Sequence, residues 1–304
     1  MTLEKFGKYG VITAMITPFK EDFSLDEAKY REFIQFQIKN GCNLLAMGTT
    51  GECATLSHDE HRRAINITID EAEKSGKDPL VLAGTGSNST QEAIELSQYA
   101  EEAGADALLI VVPYYNKPMQ HSLFDHYAAI ADAVSLPIIL YNVPSRTGRN
   151  LEPETIAKLE KEKENIAGLK CASGDIDQIT RVIKKTSDDF IVLSGDDSLT
   201  YHIMALGGRG VVSVASNIIP KQMVEFVATM GEGDWEKARQ TQLRLYDLFK
   251  VLFIETNPGP VKYAAEEMEI MNGRMRLPLT LPTKDNKKEI KSVLKDLELV
   301  EGFF

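Results

Sequence analysis

Short runs of Val, Ile, Leu and Ala alternate with longer amphipathic segments along most of the 304-residue chain, and this alternation is what most constrains the fold. The runs are continuously apolar, which is typical of strands that are buried on both faces of a parallel sheet covered by helices. Eight such strands are predicted, at residues 11–16, 43–47, 80–83, 107–112, 138–141, 166–170, 190–193 and 210–214.

The amphipathic segments predict a helix after each strand. Ser57 with Glu60 three residues later forms a capping-box pattern, and Gly41, Gly76 and Gly104 stand where helices are expected to end. The predicted helices span residues 26–40, 58–74, 90–103, 120–134, 153–163, 177–185, 198–206 and 220–230. Strand–helix units with short connections predict an α/β fold of the (β/α)8 TIM-barrel type, and a doubly wound open sheet is the alternative.

The pattern of strands stops at about residue 231, and three further helices are predicted at residues 234–255, 260–268 and 287–297. We therefore divide the chain into a catalytic barrel domain, residues 1–231, and a C-terminal helical region, residues 232–304. The second region is expected to lie against the barrel or to face another subunit, because it lacks a strand pattern of its own.

Composition excludes several classes of function. The formal net charge of -11, with no dense Lys/Arg cluster, argues against a nucleic-acid partner. The three cysteines, Cys42, Cys53 and Cys171, are too few for a disulfide framework in a chain of this length, which indicates a reducing compartment. The sequence shows no secretory signal and no apolar run long enough to span a membrane, so a cytoplasmic protein is predicted.

Lys170 closes the predicted strand at residues 166–170. Burial disfavours the charged form of a lysine and lowers its pKa, and the neutral amine is a nucleophile. The alternative is that the stem of Lys170 packs while its tip reaches solvent at the strand end.

The residues that follow the strands decide between these possibilities, because in a (β/α)8 barrel they meet on one face. Residues 48–52 read Gly-Thr-Thr-Gly-Glu, residues 113–116 read Pro-Tyr-Tyr-Asn, and residues 141–148 read Tyr-Asn-Val-Pro-Ser-Arg-Thr-Gly. A lysine, tyrosines, threonines and an arginine are thus predicted around one cavity. This inventory suits imine chemistry on a keto acid, with a phenol that carries protons and a guanidinium for a carboxylate. Taken singly, each motif also has a structural explanation, such as a turn or a surface pair of Arg146 with Glu152.

Residues 48–52, 141–148 and 168–170, with 194–197 and 257–262, resemble the dihydrodipicolinate synthase (4-hydroxy-tetrahydrodipicolinate synthase) family. This family belongs to the pyruvate-dependent class I aldolases, which also include N-acetylneuraminate lyase. The resemblance covers nearly the whole chain. It implies a lyase that condenses pyruvate with L-aspartate 4-semialdehyde through a Schiff base and then cyclises the product, at the first committed step of lysine and diaminopimelate biosynthesis. No metal and no organic cofactor is implied. Thr49 and Arg146 favour the synthase over the sialic acid lyases.

The resemblance also implies roles for the residues of the reaction. Lys170 is expected to form the Schiff base, and Tyr141 to donate and accept the proton. Thr50 and Tyr115 are expected to complete a proton relay, with Tyr115 reaching the site of a neighbouring subunit across a dimer interface. The implied assembly is a homo-oligomer, expected to be a tetramer built as a dimer of dimers.

Substrate binding is implied for a partly overlapping set. Thr49 and Thr50 are expected to hold the carboxylate of pyruvate, and the Val212 backbone to contact pyruvate. Arg146 is expected to bind the carboxylate of aspartate 4-semialdehyde at the mouth of the site.

A second site, for L-lysine as a feedback inhibitor, is implied at the dimer interface. Glu92 suits an ammonium group, while Asn88 and Tyr114 suit a carboxylate. Cys53 stands where inhibited members commonly have a small Ser. The residues at the implied positions are Cys53, Ala54, Leu56, His58, His61, Asn88, Glu92 and Tyr114. The alternative for His58 and His61 is two solvated histidines, and a metal site is disfavoured because no third ligand is evident.

Other functions remain open at this stage. They are a related aldolase that acts on a sugar acid, a catalytically silent lysine-binding protein, and a phosphate-binding barrel isomerase. The isomerase requires a Gly-rich anion loop after the seventh and eighth strands, which the sequence does not show. Asp196 and Asp197 are predicted to cap the next helix, and Cys171 is predicted to point away from the cavity because neighbours on a strand alternate.

Overall fold

The computed structural model describes residue 5 and residues 7–300. Within these residues, parallel strands pair in chain order and close into a barrel, since the first strand also pairs with the eighth. The strands are β1 Gly10–Ala14, β2 Asn43–Ala46, β3 Val81–Gly84, β4 Ala107–Val111, β5 Ile138–Asn142, β6 Ile166–Cys171, β7 Ile191–Ser194 and β8 Gly210–Ser213. The (β/α)8 prediction is confirmed, and the open doubly wound sheet is wrong.

Apolar side chains of the strands form two separate clusters. One fills the barrel interior and includes Ile12, Leu82 and Leu109. The other joins the outer face of the strands to the surrounding helices and includes Leu44 and Cys171. Because successive side chains on a strand point to opposite faces, both faces of the sheet are buried, as the continuous apolar runs predicted. The outward position of Cys171 is confirmed.

The helices surround the barrel and continue beyond it. They are α1 Glu27–Lys39, α2 His58–Lys74, α3 Thr90–Ala103, α4 Gln120–Ala133, α5 Pro144–Thr147, α6 Pro153–Glu162, α7 Ile176–Lys185, α8 Thr200–Ala205, α9 Pro220–Gly231, α10 Trp235–Val251, α11 Gly259–Glu267 and α12 Lys284–Asp296. The bounds of α2 and α3 match the predicted ranges. The predicted capping box is present at α2, where the side chains and backbones of Ser57 and Glu60 bond reciprocally.

One helix was not predicted. The stretch that follows β5 forms the single turn α5, with Pro144 at its start and Gly148 in the left-handed conformation at its end. Proline at the first position and glycine after the last are the residues that start and stop a helix. This turn matters because it carries Arg146.

The C-terminal helices lie against the barrel's outer helices. Helix α10 contacts α9, and α12 contacts α10 and α11. The segment between α10 and α11 returns to the carboxyl ends of the strands, where Phe253 and Asn257 line a cavity. The proposed division of the chain at residue 231 stays a prediction, although the C-terminal region contributes side chains to the barrel's end.

Across residue 5 and residues 7–300, no helix combines the length and the apolar character that a membrane crossing requires.

Candidate active site

A cavity of about 380 Å³ opens at the carboxyl ends of the strands. The sequence-predicted residues that line it are Thr49, Thr50, Tyr141, Arg146, Lys170 and Val212. They come from five different segments of the chain. The geometry of the closed barrel therefore brings together six of the seven residues that were predicted for the reaction; Tyr115 is the exception.

Lys170 lies near the end of β6, with 6% of its surface exposed. Burial lowers the pKa of Lys170 from 10.5 to about 7, with Asp197 opposing the shift and Arg146 adding to it. A large fraction of this amine is therefore uncharged at neutral pH. The alternative in which the tip of Lys170 reaches solvent is wrong.

Tyr141 is the neighbour of Lys170 in the pairing of β5 with β6. The Nζ atom of Lys170 lies 4.1 Å from the centroid of the Tyr141 ring, within range of a cation–π contact for the charged form. Burial raises the pKa of the Tyr141 phenol, while Arg146 and a hydrogen bond with the Thr49 side chain oppose that shift. The phenol thus keeps its proton at neutral pH and lies beside a nucleophile and a threonine hydroxyl.

The turn Thr49–Gly51 is held by contacts from two distant parts of the chain. The Thr17 hydroxyl donates to the Gly51 carbonyl at 2.6 Å, and the Asn257 side-chain amide donates to the Thr50 hydroxyl at 2.9 Å. A Cβ atom at Gly51 would lie 3.0 Å from the Met15 carbonyl oxygen, so a larger residue would crowd the backbone that follows β1. Asn257, for which no role was predicted, lies next to Thr50.

Arg146 projects from α5 into the cavity wall. Its Nη2 donates to the backbone carbonyl of Asn257 at 3.1 Å. Among the described residues no ion pair joins Arg146 to Glu152, so the surface pair considered above is not formed. The guanidinium remains in a cavity that also holds Lys170, at a place where it can meet an anionic substrate group.

A buried ion pair lies directly after the Thr49–Gly51 turn. Lys262 and Glu52 are both fully buried in their side chains, and Lys262 Nζ lies 2.7 Å from Glu52 Oε1. Lys262 also donates to the carbonyl oxygens of Thr17, at 2.8 Å, and of Arg274. Burial lowers the pKa of Lys262, and Glu52 opposes this shift. Glu52 has a φ of 58°, in the left-handed region that residues other than glycine rarely adopt. The ion pair made by its side chain therefore explains why a glutamate stands here.

The two acidic residues after β7 differ in their environment. Asp196 behaves as predicted, since its side chain accepts from the Ser198 backbone at 2.9 Å and caps the turn. The same prediction for Asp197 is wrong. Its carboxylate is buried and accepts from the backbone N–H groups of Val214 and Ala215, at 3.0 and 2.9 Å. Burial raises the pKa of Asp197 to about 6.

Tyr115 is the predicted reaction residue that lies outside the cavity. Its side chain is 89% exposed, and its φ of 73° is left-handed. Tyr115 follows Tyr114 in the loop after β4, which the Asn88 and Asn116 amides tie to neighbouring backbone. Its predicted role across a subunit interface stays a prediction.

Residues predicted for the effector site form a cluster around Glu92. The Ser87 hydroxyl donates to Glu92 Oε2, and His58 Nε2 lies 3.3 Å from Glu92 Oε1. Burial raises the pKa of the Tyr114 phenol, which hydrogen-bonds to the Ser87 side chain and the Asn88 backbone. A carboxylate, an amide and a phenol thus meet near the end of β3.

The remaining members of the predicted effector set lie on the segment after Glu52. Cys53 and Leu56 are half-buried, and Ala54 is exposed. His61 is buried, with Nε2 2.8 Å from the Gly84 carbonyl oxygen, so its reading as a solvated histidine is wrong. Burial lowers the pKa of His61. Across the described part of the chain, no group of three or more His, Cys, Asp or Glu side chains is placed to hold a metal ion.

Comparisons with known proteins agree on one family. Residues 8–297 match the model of the Dihydrodipicolinate synthetase family. The 4-hydroxy-tetrahydrodipicolinate synthase of Methanopyrus kandleri is 52% identical over 293 residues, which cover 96% of this chain and 97% of that protein.

Two solved structures show the same agreement in three dimensions. The dihydrodipicolinate synthase of Acinetobacter baumannii, described as chloride-inhibited and complexed with pyruvate, is 41% identical, with a TM-score of 0.92 over 96% of this chain and 100% of that chain. The synthase of Cyanidioschyzon merolae, described with lysine bound, is 39% identical, with a TM-score of 0.93 over 96% and 99% of the two chains.

Proposed function

The chain belongs to the dihydrodipicolinate synthetase family and is a lyase, and on this premise we propose that it condenses pyruvate with L-aspartate 4-semialdehyde in the cytosol. The observation that carries the proposal is the buried amine of Lys170, with its pKa lowered to about 7, in a cavity shared with Tyr141, Thr49, Thr50 and Arg146. The pyruvate complex of the Acinetobacter baumannii synthase supports the choice of keto acid. The reaction stands at the first committed step of lysine and diaminopimelate biosynthesis.

The proposed reaction begins on Lys170. Its neutral amine adds to the C2 carbonyl of pyruvate, and one amine proton passes to the carbonyl oxygen. This oxygen takes a second proton from the Tyr141 hydroxyl and leaves as water, so the nitrogen remains as a positively charged iminium. Thr49 and Thr50 hold the carboxylate through their hydroxyls, and the Val212 backbone lies along the substrate. The iminium withdraws electrons, so a proton passes from C3 to the Tyr141 phenolate and a neutral enamine forms. The lysine amine supplies this electron sink, and no cofactor is part of the proposal.

The second half of the reaction uses the phenol of Tyr141. The enamine carbon attacks the aldehyde of aspartate semialdehyde, whose oxygen takes a proton from the Tyr141 hydroxyl. Arg146 binds the carboxylate of this second substrate through its planar fork. The substrate's amine then attacks C2, closes the ring as 4-hydroxy-tetrahydrodipicolinate and displaces Lys170, which is regenerated.

Reduction of the Schiff base tests the proposal. The protein is incubated with pyruvate and borohydride, digested, and analysed by mass spectrometry. The adduct is expected on Lys170 and absent from Lys262, a second buried lysine that is fully engaged with Glu52 and two carbonyl groups. Lys170→Met is expected to lose the adduct. Detection of the adduct only at another lysine, or its persistence in Lys170→Met, contradicts the mechanism.

The choice of acceptor separates the synthase from an aldolase that acts on a sugar acid. Turnover with aspartate semialdehyde is compared with turnover on sugar aldehydes, for wild type and for Arg146→Met. We expect only aspartate semialdehyde to be condensed, and we expect the variant to raise the KM for that aldehyde while the KM for pyruvate stays near the wild-type value. Preferred turnover of a sugar aldehyde favours the alternative.

We further propose that L-lysine inhibits the enzyme by binding at the Glu92 cluster. Glu92 is the anion for an ammonium group, and the Asn88 amide and Tyr114 phenol are donors for a carboxylate. The lysine-bound Cyanidioschyzon merolae synthase supports this choice of ligand. Calorimetry with lysine and inhibition curves test it. Glu92→Gln is expected to weaken both binding and inhibition, whereas Glu95→Gln, one turn further along α3, is the matched control. Absence of binding heat and of inhibition at millimolar lysine contradicts the proposal.

The proposed assembly is a homo-oligomer, a dimer of dimers, in which Tyr115 completes the proton relay of a neighbouring subunit with Thr50. The large exposed surface of Tyr115 supports a position at an interface. Tyr115→Phe is expected to lower turnover while the pyruvate adduct on Lys170 still forms, though more slowly. Sedimentation measures the assembly of both proteins. Normal turnover in the variant, or a wild-type protein that is active as a monomer, contradicts the relay.

A further inference from the structure

Asp197 is a buried acid that does not form the predicted helix cap and that has no role in the proposed reaction. One carboxylate oxygen, Oδ2, accepts from the N–H groups of Val214 and Ala215, and the nearby Ser213 side chain lowers the pKa of the carboxyl group. The other oxygen, Oδ1, is buried and has no hydrogen-bond partner among the residues that the structure describes. A half-satisfied buried carboxylate is costly and requires an explanation.

The position of Asp197 suggests that explanation. It begins the turn after β7, and β7 is the strand that pairs with the Lys170 strand, with Lys170 opposite Leu193. Asp196 on one side of it and Val214 on the other both line the cavity. The Asp197 carboxylate therefore lies behind the cavity wall, between the ends of β7 and β8, and its charge acts on the Lys170 amine.

We propose that Asp197 is a positioning residue for the Schiff-base reaction: its buried carboxylate is the counter-charge of the iminium on Lys170. This inference rests on the proposed function, since it requires an iminium at Lys170. A free amine in a buried site avoids the cost of its charge by losing a proton. The iminium cannot avoid this cost in the same way, because loss of the proton on its nitrogen would also remove the positive charge that withdraws electrons. A fixed anion behind the wall offsets the desolvation of that cation through the low-dielectric interior, without touching the substrate.

Asp196 and Glu255 also line the cavity, and Asp197 is the buried acid whose charge raises the pKa of the amine. Lys170 is faced by Arg146 from α5, which is cationic, and by the Tyr141 phenol from β5, which is neutral. Asp197 is faced by Asp196 on its own turn and by Ser213 from β8. Helix α10 contributes the neutral Gln242, whose amide donates to the Ser198 carbonyl at 2.9 Å.

Asp197→Asn tests the proposal because it removes the charge and retains an oxygen for the Val214 and Ala215 N–H groups. Two quantities are measured. The first is the pH midpoint for reductive methylation of Lys170 by formaldehyde and cyanoborohydride, mapped by mass spectrometry. It is expected to fall by about one pH unit, because the anion that favours the ammonium is lost. The second is the dissociation constant of pyruvate by calorimetry, expected to rise about tenfold because the iminium loses its counter-charge.

Asp175→Asn is the matched control. Asp175 caps α7 on the same face of the barrel, where asparagine caps equally well, and both quantities are expected to stay at wild-type values. If Asp197 had only a structural role, the Lys170 midpoint would not be expected to fall while the pyruvate dissociation constant rises. An unchanged Lys170 midpoint, or an unchanged pyruvate dissociation constant, in folded Asp197→Asn overturns the proposal.

A second variant keeps the test decisive if Asp197→Asn does not fold. Ser213→Ala keeps the carboxylate but removes a side chain that lowers the pKa of Asp197, so the acid loses its charge at a higher pH. Pyruvate is expected to bind more weakly than to wild type near pH 6.5, by less than the effect of Asp197→Asn, and nearly equally at pH 9. A ratio that does not change with pH overturns the proposal. Failure of the wild type to form any adduct on Lys170 would instead overturn the proposed function itself.

Discussion

Tyr141 and Lys170 are direct partners across β5 and β6, and the amine nitrogen lies 4.1 Å from the centroid of the phenol ring. The pairing places both side chains on the inner face at the same height of the barrel. The ring covers one side of the amine, while the hydroxyl lies near Thr49. The strand pairing thus fixes the nucleophile beside Tyr141, which has two tasks. Its hydroxyl carries protons, and its ring shields the nucleophile from water.

Tyr141→Phe separates these two tasks. The ring that covers Lys170 is kept and the hydroxyl is lost, so the pyruvate adduct is expected to form while kcat falls by roughly 10²- to 10⁴-fold, the usual contribution of a general acid or base. Steady-state kinetics and borohydride trapping measure the two effects. Tyr127→Phe is the control, since Tyr127 is equally buried but bonds to the Ile110 carbonyl outside the barrel interior. A kcat within threefold of wild type contradicts a proton-carrying role.

Lys170 is expected to destabilise the fold at neutral pH. Its pKa is about 7 in the folded protein and close to 10.5 in the unfolded chain, so the unfolded chain binds more protons between these values. The free energy of unfolding therefore rises with pH across this window, and it is lowest on the acid side. Lys170→Met removes this dependence. The variant is expected to be more stable than wild type by about 1–3 kcal/mol near pH 7, with the gain shrinking towards pH 10.

Urea denaturation at several pH values measures this difference. Lys29→Met, at an exposed lysine on α1, is the control and is expected to show no comparable pH trend. A stability gain in Lys170→Met that is independent of pH would show that better packing, rather than the buried amine, is responsible.

Asn257→Ala tests the support of the carboxylate turn. The variant loses the 2.9 Å bond to the Thr50 hydroxyl but keeps the backbone carbonyl that binds Arg146. A net hydrogen bond is worth about 1 kcal/mol, so the KM for pyruvate is expected to rise about fivefold, with little change in the KM for the aldehyde. Asn66→Ala is the control, because it removes a 2.7 Å bond to Tyr99 remote from the cavity. An equal rise in both KM values argues against a role specific to Thr50.

The parts of the site that the sequence predicted are those fixed by strand periodicity. Thr49, Tyr141, Lys170 and Val212 stand at the ends of apolar runs, and a closed barrel places such residues together whatever the details of packing. Arg146 was predicted at the same face although its helix α5 was not predicted, because a single turn of four residues carries no periodic pattern. The family resemblance supplied the roles, which periodicity cannot provide.

The parts that the sequence did not predict depend on contacts between distant segments. Asn257 and Lys262 come from the C-terminal region, about 200 residues after the turn that they hold. Residues 257–262 are part of the family resemblance but had no predicted role. That resemblance was the one signal in the sequence that pointed to Asn257 and Lys262. Asp196 and Asp197 were both predicted to cap the next helix, and only Asp196 does so. Which of two adjacent acids is buried depends on the path of the turn after β7, and sequence spacing does not determine that path.

The two charges of the Glu52–Lys262 pair are expected to be coupled, so that removing one alone strongly destabilises the fold. Lys262→Met leaves the Glu52 carboxylate buried beside only weak donors such as the Arg276 N–H, at 3.3 Å. Removing one partner of a buried pair costs about 3–5 kcal/mol, whereas neutralising both is far less costly. Urea denaturation of Lys262→Met, Glu52→Gln and the double variant is therefore expected to show a large loss of stability for Lys262→Met and recovery of most of it in Glu52→Gln/Lys262→Met. The exposed pair of Lys29 and Glu32 serves as the comparison, since Lys29→Met is expected to cost less than about 1 kcal/mol. If the double variant is as unstable as the sum of the single variants, the two charges are not coupled, and the pair does not tie the carboxylate turn to the C-terminal region.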